Sequence, residues 1–261
     1  MASARTPAVI TLSVWKALFL REAVSRISTG RAAWLWLLLE PLIHIGVLLI
    51  IFIIFRMRTV GGIDTTVWLM VGMMAFLTFR RTATQSQNAV DSNRGLFTYR
   101  QVKPVDTVLV RAVLEGFLAM IVALILFCAA AFWGASGLPY DPLSLLEAFL
   151  GLWLLGLGFG LITSVAGDLI PEVGNVIGFI MTPMYFASGV IFPVAQAPQP
   201  YRDWLLLNPI LHGLESARLA FSPYYNAAPN LSIAYLYGFA LTLIFLGLIL
   251  HVRFSAKLVA Q

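Results

Sequence analysis

The sequence predicts an all-α, polytopic membrane protein with six transmembrane helices, and three observations predict it. Its 261 residues are 60% hydrophobic and 11% charged, where a soluble domain carries about 25% charge. Apolar runs recur near the ~20 residues that a helix needs to cross ~30 Å of hydrocarbon. Lys and Arg fall unevenly between those runs, as they do in spanning proteins. So little polar surface leaves room for one membrane domain, over 32–261, and no second soluble one.

Residues 1–31 form the first element. Leu12, Trp15, Phe19, Ala23 and Ile27 recur every three or four positions, while Lys16, Arg21 and Arg26 lie mostly off that stripe. This pattern predicts an amphipathic helix in the cytoplasmic interface, and a helix packed on the protein's own cytoplasmic side fits it equally. Arg5, Lys16, Arg21, Arg26 and Arg31 leave no short apolar core of a cleavable signal, so the first span is expected to direct insertion.

The first span covers about 32–55 and is apolar except for Glu40 and His44. Gly61 and Gly62 then turn the chain. The second, 66–90, begins as an apolar run that meets Arg80 and Arg81; Thr82 to Val90 lacks Pro and Gly, so the helix is expected to continue past the arginines. After a polar segment over 91–104, the third span covers 107–133 and opens with Arg111 and Glu115 at a spacing that permits a helical ion pair. Cys128 sits within it as a small buried hydrophobe. The fourth, 143–166, carries Gly151, Gly156, Gly158 and Gly160 as close-packing surfaces, and Gly167, Asp168 and Pro171 are expected to break it. The fifth, 172–192, holds Pro183 at its middle. Residues 193–230 are proline-rich with apolar pieces too short to cross, the pattern of re-entrant or interfacial short helices on the outer side. The sixth span is 231–250, followed by a tail.

With the N-terminus inside, cytoplasmic segments hold thirteen of the seventeen Lys and Arg residues, and outer segments hold Arg56, Arg58, Arg202 and Arg218. The bias places both termini in the cytoplasm. It also accounts for the formal charge of +5 through topology and anionic lipid, without nucleic acid.

No GxxxxGK[ST], HExxH, GxSxG or CxxC motif is present, which excludes recognised phosphate-cradling, hydrolytic and thiol chemistry. The driving force must come from a partner or an ion gradient. Transport, intramembrane chemistry and scaffolding remain.

The order of several short motifs narrows this. A basic N-terminal helix precedes Glu40-Pro41. Asn93-Arg94-Gly95-Leu96-Phe97 precedes a Lys103-Pro104 turn. Ser188-Gly189-Val190-Ile191-Phe192-Pro193 closes span five, and Asn208-Pro209 is followed by His212, Glu215 and Arg218. Nearly the whole chain thereby resembles the permease subunit of type-2 ABC exporters, and within them the capsular polysaccharide and O-antigen permeases. Val102-Lys103-Pro104 departs from the Phe-Pro-Arg-like triplet usual there.

The resemblance implies the type-2 ABC exporter permease fold in the bacterial inner membrane, assembled as a homodimer with two copies of a separate ATP-binding subunit. That subunit would bind ATP and magnesium, leaving this chain without cofactor, metal or catalytic residue. The cargo implied is an anionic, lipid-linked capsular polysaccharide, with O-antigen or teichoic acid as alternatives and a periplasmic co-polymerase or adaptor as a further partner. Segment 91–104 would dock on the ATPase through Asn93, Arg94, Leu96, Phe97, Tyr99, Arg100 and Lys103, and its exposed Leu96, Phe97 and Tyr99 suit a partner's groove. An ordinary solvated loop is the plain alternative.

Ionisable groups within a membrane normally face protein or water. Glu40 and His44, four apart on one helix face, could bond each other or face a substrate pathway. Arg80 and Arg81 could meet an anionic polymer or its phospholipid anchor, or snorkel to headgroups. Phe76, Phe79 and Tyr185 could line a conduit for sugar rings, whereas Trp34 and Trp36 suit the interfacial belt. Asn208, His212, Glu215 and Arg218 read as an outer gate or packing network. Two competing classes exist: a proton-coupled carrier relaying through Glu40 and His44, and a transferase built on Asp168 and Glu172, which helix-end capping explains more simply.

Overall fold

The computed structural model describes residues 6–28, 33–55, 59–132, 138–170 and 172–260. Arg5, Arg31, Arg56, Arg58 and Pro171, with the side chains of Ile27 and Trp34, lie outside the described residues. Nine α-helices are described: α1 (Pro7–Ser28), α2 (Ala33–Ile54), α3 (Thr65–Gln87), α4 (Pro104–Phe132), α5 (Pro142–Leu169), α6 (Glu172–Ala187), α7 (Tyr201–Leu205), α8 (Pro209–Phe221) and α9 (Ile233–Ala260). A two-residue antiparallel hairpin, β1 (Thr59–Val60) and β2 (Ile63–Asp64), leads into α3. Among the described residues three helices are long and apolar enough to cross a membrane: Pro104–Phe132, Pro142–Leu169 and Ile233–Val259.

The hairpin turn needs glycine. Gly61 and Gly62 have φ of +58° and +92°, a region costly for residues with a Cβ. Asp64 then caps α3, its carboxylate accepting from the Thr66 amide at 2.8 Å. Its side chain satisfies one of the orphan donors at the helix start.

Helices α3 and α9 pack on opposite faces of α5. Lipid tails are as apolar as leucine, so close van der Waals contact must hold such helices together. Gly160 supplies it on the α3 side: a Cβ there would lie 2.3 Å from that of Ser86. Gly158 supplies it on the other, where a Cβ would meet Leu243 at 2.8 Å. Trp68, Leu69, Met73, Phe76 and Leu77 of α3 fill the core beside these contacts.

Four expectations need correction. Gly167 and Asp168 do not break α5, which runs on to Leu169. The tail beyond 250 continues α9 as helix to Ala260. Cys128 is exposed, because it lies on the α4 face turned away from the other helices. The face α1 buries is also shifted: Leu18 and Glu22 point inward, while Leu12, Leu20 and Val24 stay exposed. The charge distribution decides that register, as the site shows.

Candidate functional site

A cavity of about 580 Å³ opens among α1, α2, α3 and α4. Helix α3 contributes Arg80 and Arg81 after more than three turns of nearly complete burial. Helix α2 contributes Trp36 and Glu40, and α1 and α4 contribute Glu22, Arg26, Arg111 and Glu115. Four arginines and three glutamates in so small a space give the lining an excess of positive charge.

The back of the cavity is fixed by a buried network. Both carboxylate oxygens of Glu22 accept from Arg111 Nη2, at 2.9 and 3.0 Å. Arg111 Nη1 donates to the Asn88 carbonyl and to Ser92 Oγ. Asn93 donates to Glu22 and to the Ala89 carbonyl, and accepts from Arg21. Arg26 pairs with Glu115 at 2.8 Å and donates to Gln85 at 2.5 Å. The expected Arg111–Glu115 pair is therefore replaced by two pairs to α1, since each side chain finds a closer opposite charge across the helix interface. Burial alone would raise the Glu22 carboxyl, but the Arg111 charge and the hydrogen bonds from Arg111 and Asn93 outweigh it and hold the group below the ordinary value of 4.5.

At the mouth, Arg81 Nη2 meets Glu40 Oε2 at 2.5 Å, with the two side chains 17% and 34% exposed. Arg80 is exposed beside them and has no ion-pair partner among the described residues. His44 does not bond Glu40; its Nε2 lies 3.1 Å from the Tyr185 hydroxyl, tying α2 to α6. Tyr185 in turn stands edge-on to Phe76, with ring centroids 5.1 Å apart. Phe76 and Phe79 are buried, packed against Tyr185 and Phe159 respectively. They back the wall and offer no surface to a conduit.

The segment between α3 and α4 is a 3-10 turn over Asp91–Leu96. Asn93 and Phe97 are buried, Phe97 in a small core with Ala89, Val90 and Val108, so neither is open to a partner. Leu96 is half-buried, and Tyr99, Arg100 and Lys103 are exposed. Arg94 is held by Asp91 at 3.0 Å and by Asp168 at 2.7 Å, which gives Asp168 a structural partner. Asp106 closes the unit: its carboxylate caps α4 at the Lys103 amide and accepts from Trp15 Nε1 of α1 at 2.9 Å.

On α8 the spaced polar residues are buried and satisfied. Asn208 caps the helix at the Ile210 amide and donates to Ser188. His212 accepts the Ser232 amide at Nδ1 and donates from Nε2 to the Leu206 carbonyl. Arg218, with no exposed surface, donates to Glu215 and to the Gly189 and Val190 carbonyls, each at 2.9 Å, and stacks 3.7 Å above the Trp68 ring. Glu215 also accepts from the Tyr225 hydroxyl and the Ala228 amide. This is a packing knot joining α3, the turn that follows α6, and α8. Among the described residues no cluster of three His, Cys, Asp or Glu could hold a metal ion.

Sequence reasoning missed Glu22, Arg26, Arg111 and Glu115 as cavity residues, and Trp68 and Tyr225 as members of the knot. Glu22 did carry a signal. It is the single acid in a basic helix and lies four residues after Leu18 on the face that proves buried.

A family model described as ABC-2 type transporter matches residues 13–222. The polysialic acid transport protein KpsM of Escherichia coli is 36% identical over 236 residues, covering 90% of this chain and 91% of that protein. The capsule polysaccharide export inner-membrane protein CtrC of Neisseria meningitidis is 29% identical over 251 residues, covering 92% and 90%. BexB of Haemophilus influenzae, with the same description, is 24% identical over 251 residues, covering 95% and 93%.

Proposed function

The chain belongs to the ABC-2 type transporter family, and from that membership we propose that it is the permease subunit through which a lipid-linked capsular polysaccharide crosses the bacterial inner membrane. The observation that carries the reading is near end-to-end similarity to one polysialic acid transport protein and two capsule polysaccharide export proteins. The polar, arginine-rich cavity supports it, because a polymer bearing carboxylates or a phosphate anchor needs such a lining at the water–lipid boundary.

In this reading α2, α3, α4, α5, α6 and α9 are six spans with both termini in the cytoplasm. The region 193–230, with α7 and α8, forms the re-entrant outer side. Two copies of the chain assemble with two copies of a separate ATP-binding subunit, which binds ATP and magnesium and hydrolyses the nucleotide. The exposed Tyr99, Arg100 and Lys103 present the docking surface for that subunit, and Arg94 holds the segment from behind through Asp168.

Isolation from native membrane tests the class. We expect an ATP-hydrolysing protein in one-to-one ratio with this chain. A chain that transports in vesicles with no such companion overturns the reading.

A further inference from the structure

Three ion pairs line the same cavity, Arg111–Glu22, Arg26–Glu115 and Arg81–Glu40, and the last is built differently from the first two. Arg111 and Glu22 are 9% and 7% exposed and share several further hydrogen bonds. Arg81 and Glu40 touch through one nitrogen and one oxygen, and both retain exposed surface toward the cavity. An arginine fork binds a carboxylate or phosphate best with two parallel bonds, so a single contact leaves most of the Arg81 fork unused. No second partner of Glu40 is found among the described residues.

The backbone beside Glu40 is also weakened. Pro41 follows it inside α2, removing one helical hydrogen bond. Helix α2 packs chiefly on α3, with a smaller contact to α1, and its polar side-chain ties among the described residues are Glu40–Arg81 and His44–Tyr185. Both lie on one face, four residues apart.

We propose that Glu40 is an internal competitor for the anionic cargo: its carboxylate occupies Arg81 in the empty cavity, and an incoming carboxylate or phosphate takes its place and frees α2 at Pro41. This rests on the pathway reading given above. It adds a selection rule, because only a ligand that can displace a carboxylate from Arg81 opens the cavity. Neutral glycans leave the pair closed.

The test measures binding of a fluorescent sialic acid oligomer, a polyanionic glycan, to the purified permease with its partner ATPase. Glu40→Gln should bind about fivefold tighter, the scale of one part-exposed ion pair, and Glu40→Asp should stay near wild type. Arg81→Gln should weaken binding, and adding Glu40→Gln to it should produce no gain. Saturable binding that Arg81→Gln weakens but Glu40→Gln leaves unchanged overturns the competitor role and spares the pathway. Equal gain from Glu40→Gln with and without Arg81 also overturns it. Absence of saturable binding in every variant overturns the pathway reading together with the competitor.

Discussion

Glu22 of α1 and Arg111 of α4 meet across 89 positions of sequence, both oxygens of the one within 3.0 Å of Nη2 of the other. This contact fixes α1 against α4. The helix is docked through Trp15, Arg21, Glu22 and Arg26 and still shows Leu12, Leu20 and Val24 outward. Removing one partner leaves an uncompensated buried charge. Glu22→Ala should therefore lower stability by about 3–5 kcal/mol, read as a fall in the thermal midpoint in detergent.

The same contact makes α1 docking acid-sensitive. The folded Glu22 carboxyl lies below its ordinary value of 4.5, so the stability it contributes is full above that value and disappears as pH falls through the lower folded value. Thermal midpoints taken from pH 7 downward should fall below pH 4.5, and a Glu22→Gln chain should lack that component.

Arg218 predicts a second loss. Glu215 and Arg218 have no exposed surface, and Arg218→Ala strands the Glu215 carboxylate while removing hydrogen bonds to Glu215 and to the Trp68, Gly189 and Val190 carbonyls. The expected cost is about 3–5 kcal/mol. Arg218→Lys should recover only part of it, because a point charge cannot reach Gly189, Val190 and Glu215 together. Thermal midpoints of the two variants order the outcome.

The α3–α5 interface predicts a steric effect of known sign. Gly160→Ala places a Cβ 2.3 Å from that of Ser86, and overpacking of this kind costs about 1–3 kcal/mol. Gly46→Ala, where nothing lies within 4 Å of the new atom, should be near neutral in the same assay.

These cases separate what the sequence could and could not disclose. Helix α3 was legible through Arg80 and Arg81 because no proline or glycine interrupts Thr82 to Val90, and the glycines of α5 were legible as packing faces. Arg111–Glu115 misled because spacing reports only which residues share a helix face, and a closer partner on α1 wins. Phe97 misled because polar neighbours in the chain say nothing about the apolar pocket that the fold closes around a ring, and Phe76 because an apolar run does not tell which of its rings face the core. Arg218 was visible on α8, but Trp68, 150 positions away, could not be paired with it by any local pattern.

Docking on the ATPase gives a charge test. Arg100 and Lys103 are exposed, whereas Arg94 is tied to Asp91 and Asp168. Reversing Arg100 and Lys103 together should abolish co-purification of the ATPase while thermal stability is kept. Reversing Arg94 should lower both.

The most direct measurement is the location of the polysaccharide in the native bacterium after this chain is deleted. The account predicts that surface polymer disappears and the same lipid-linked polymer accumulates inside the inner membrane, with recovery when the chain is restored. Unchanged polymer at the cell surface would contradict it.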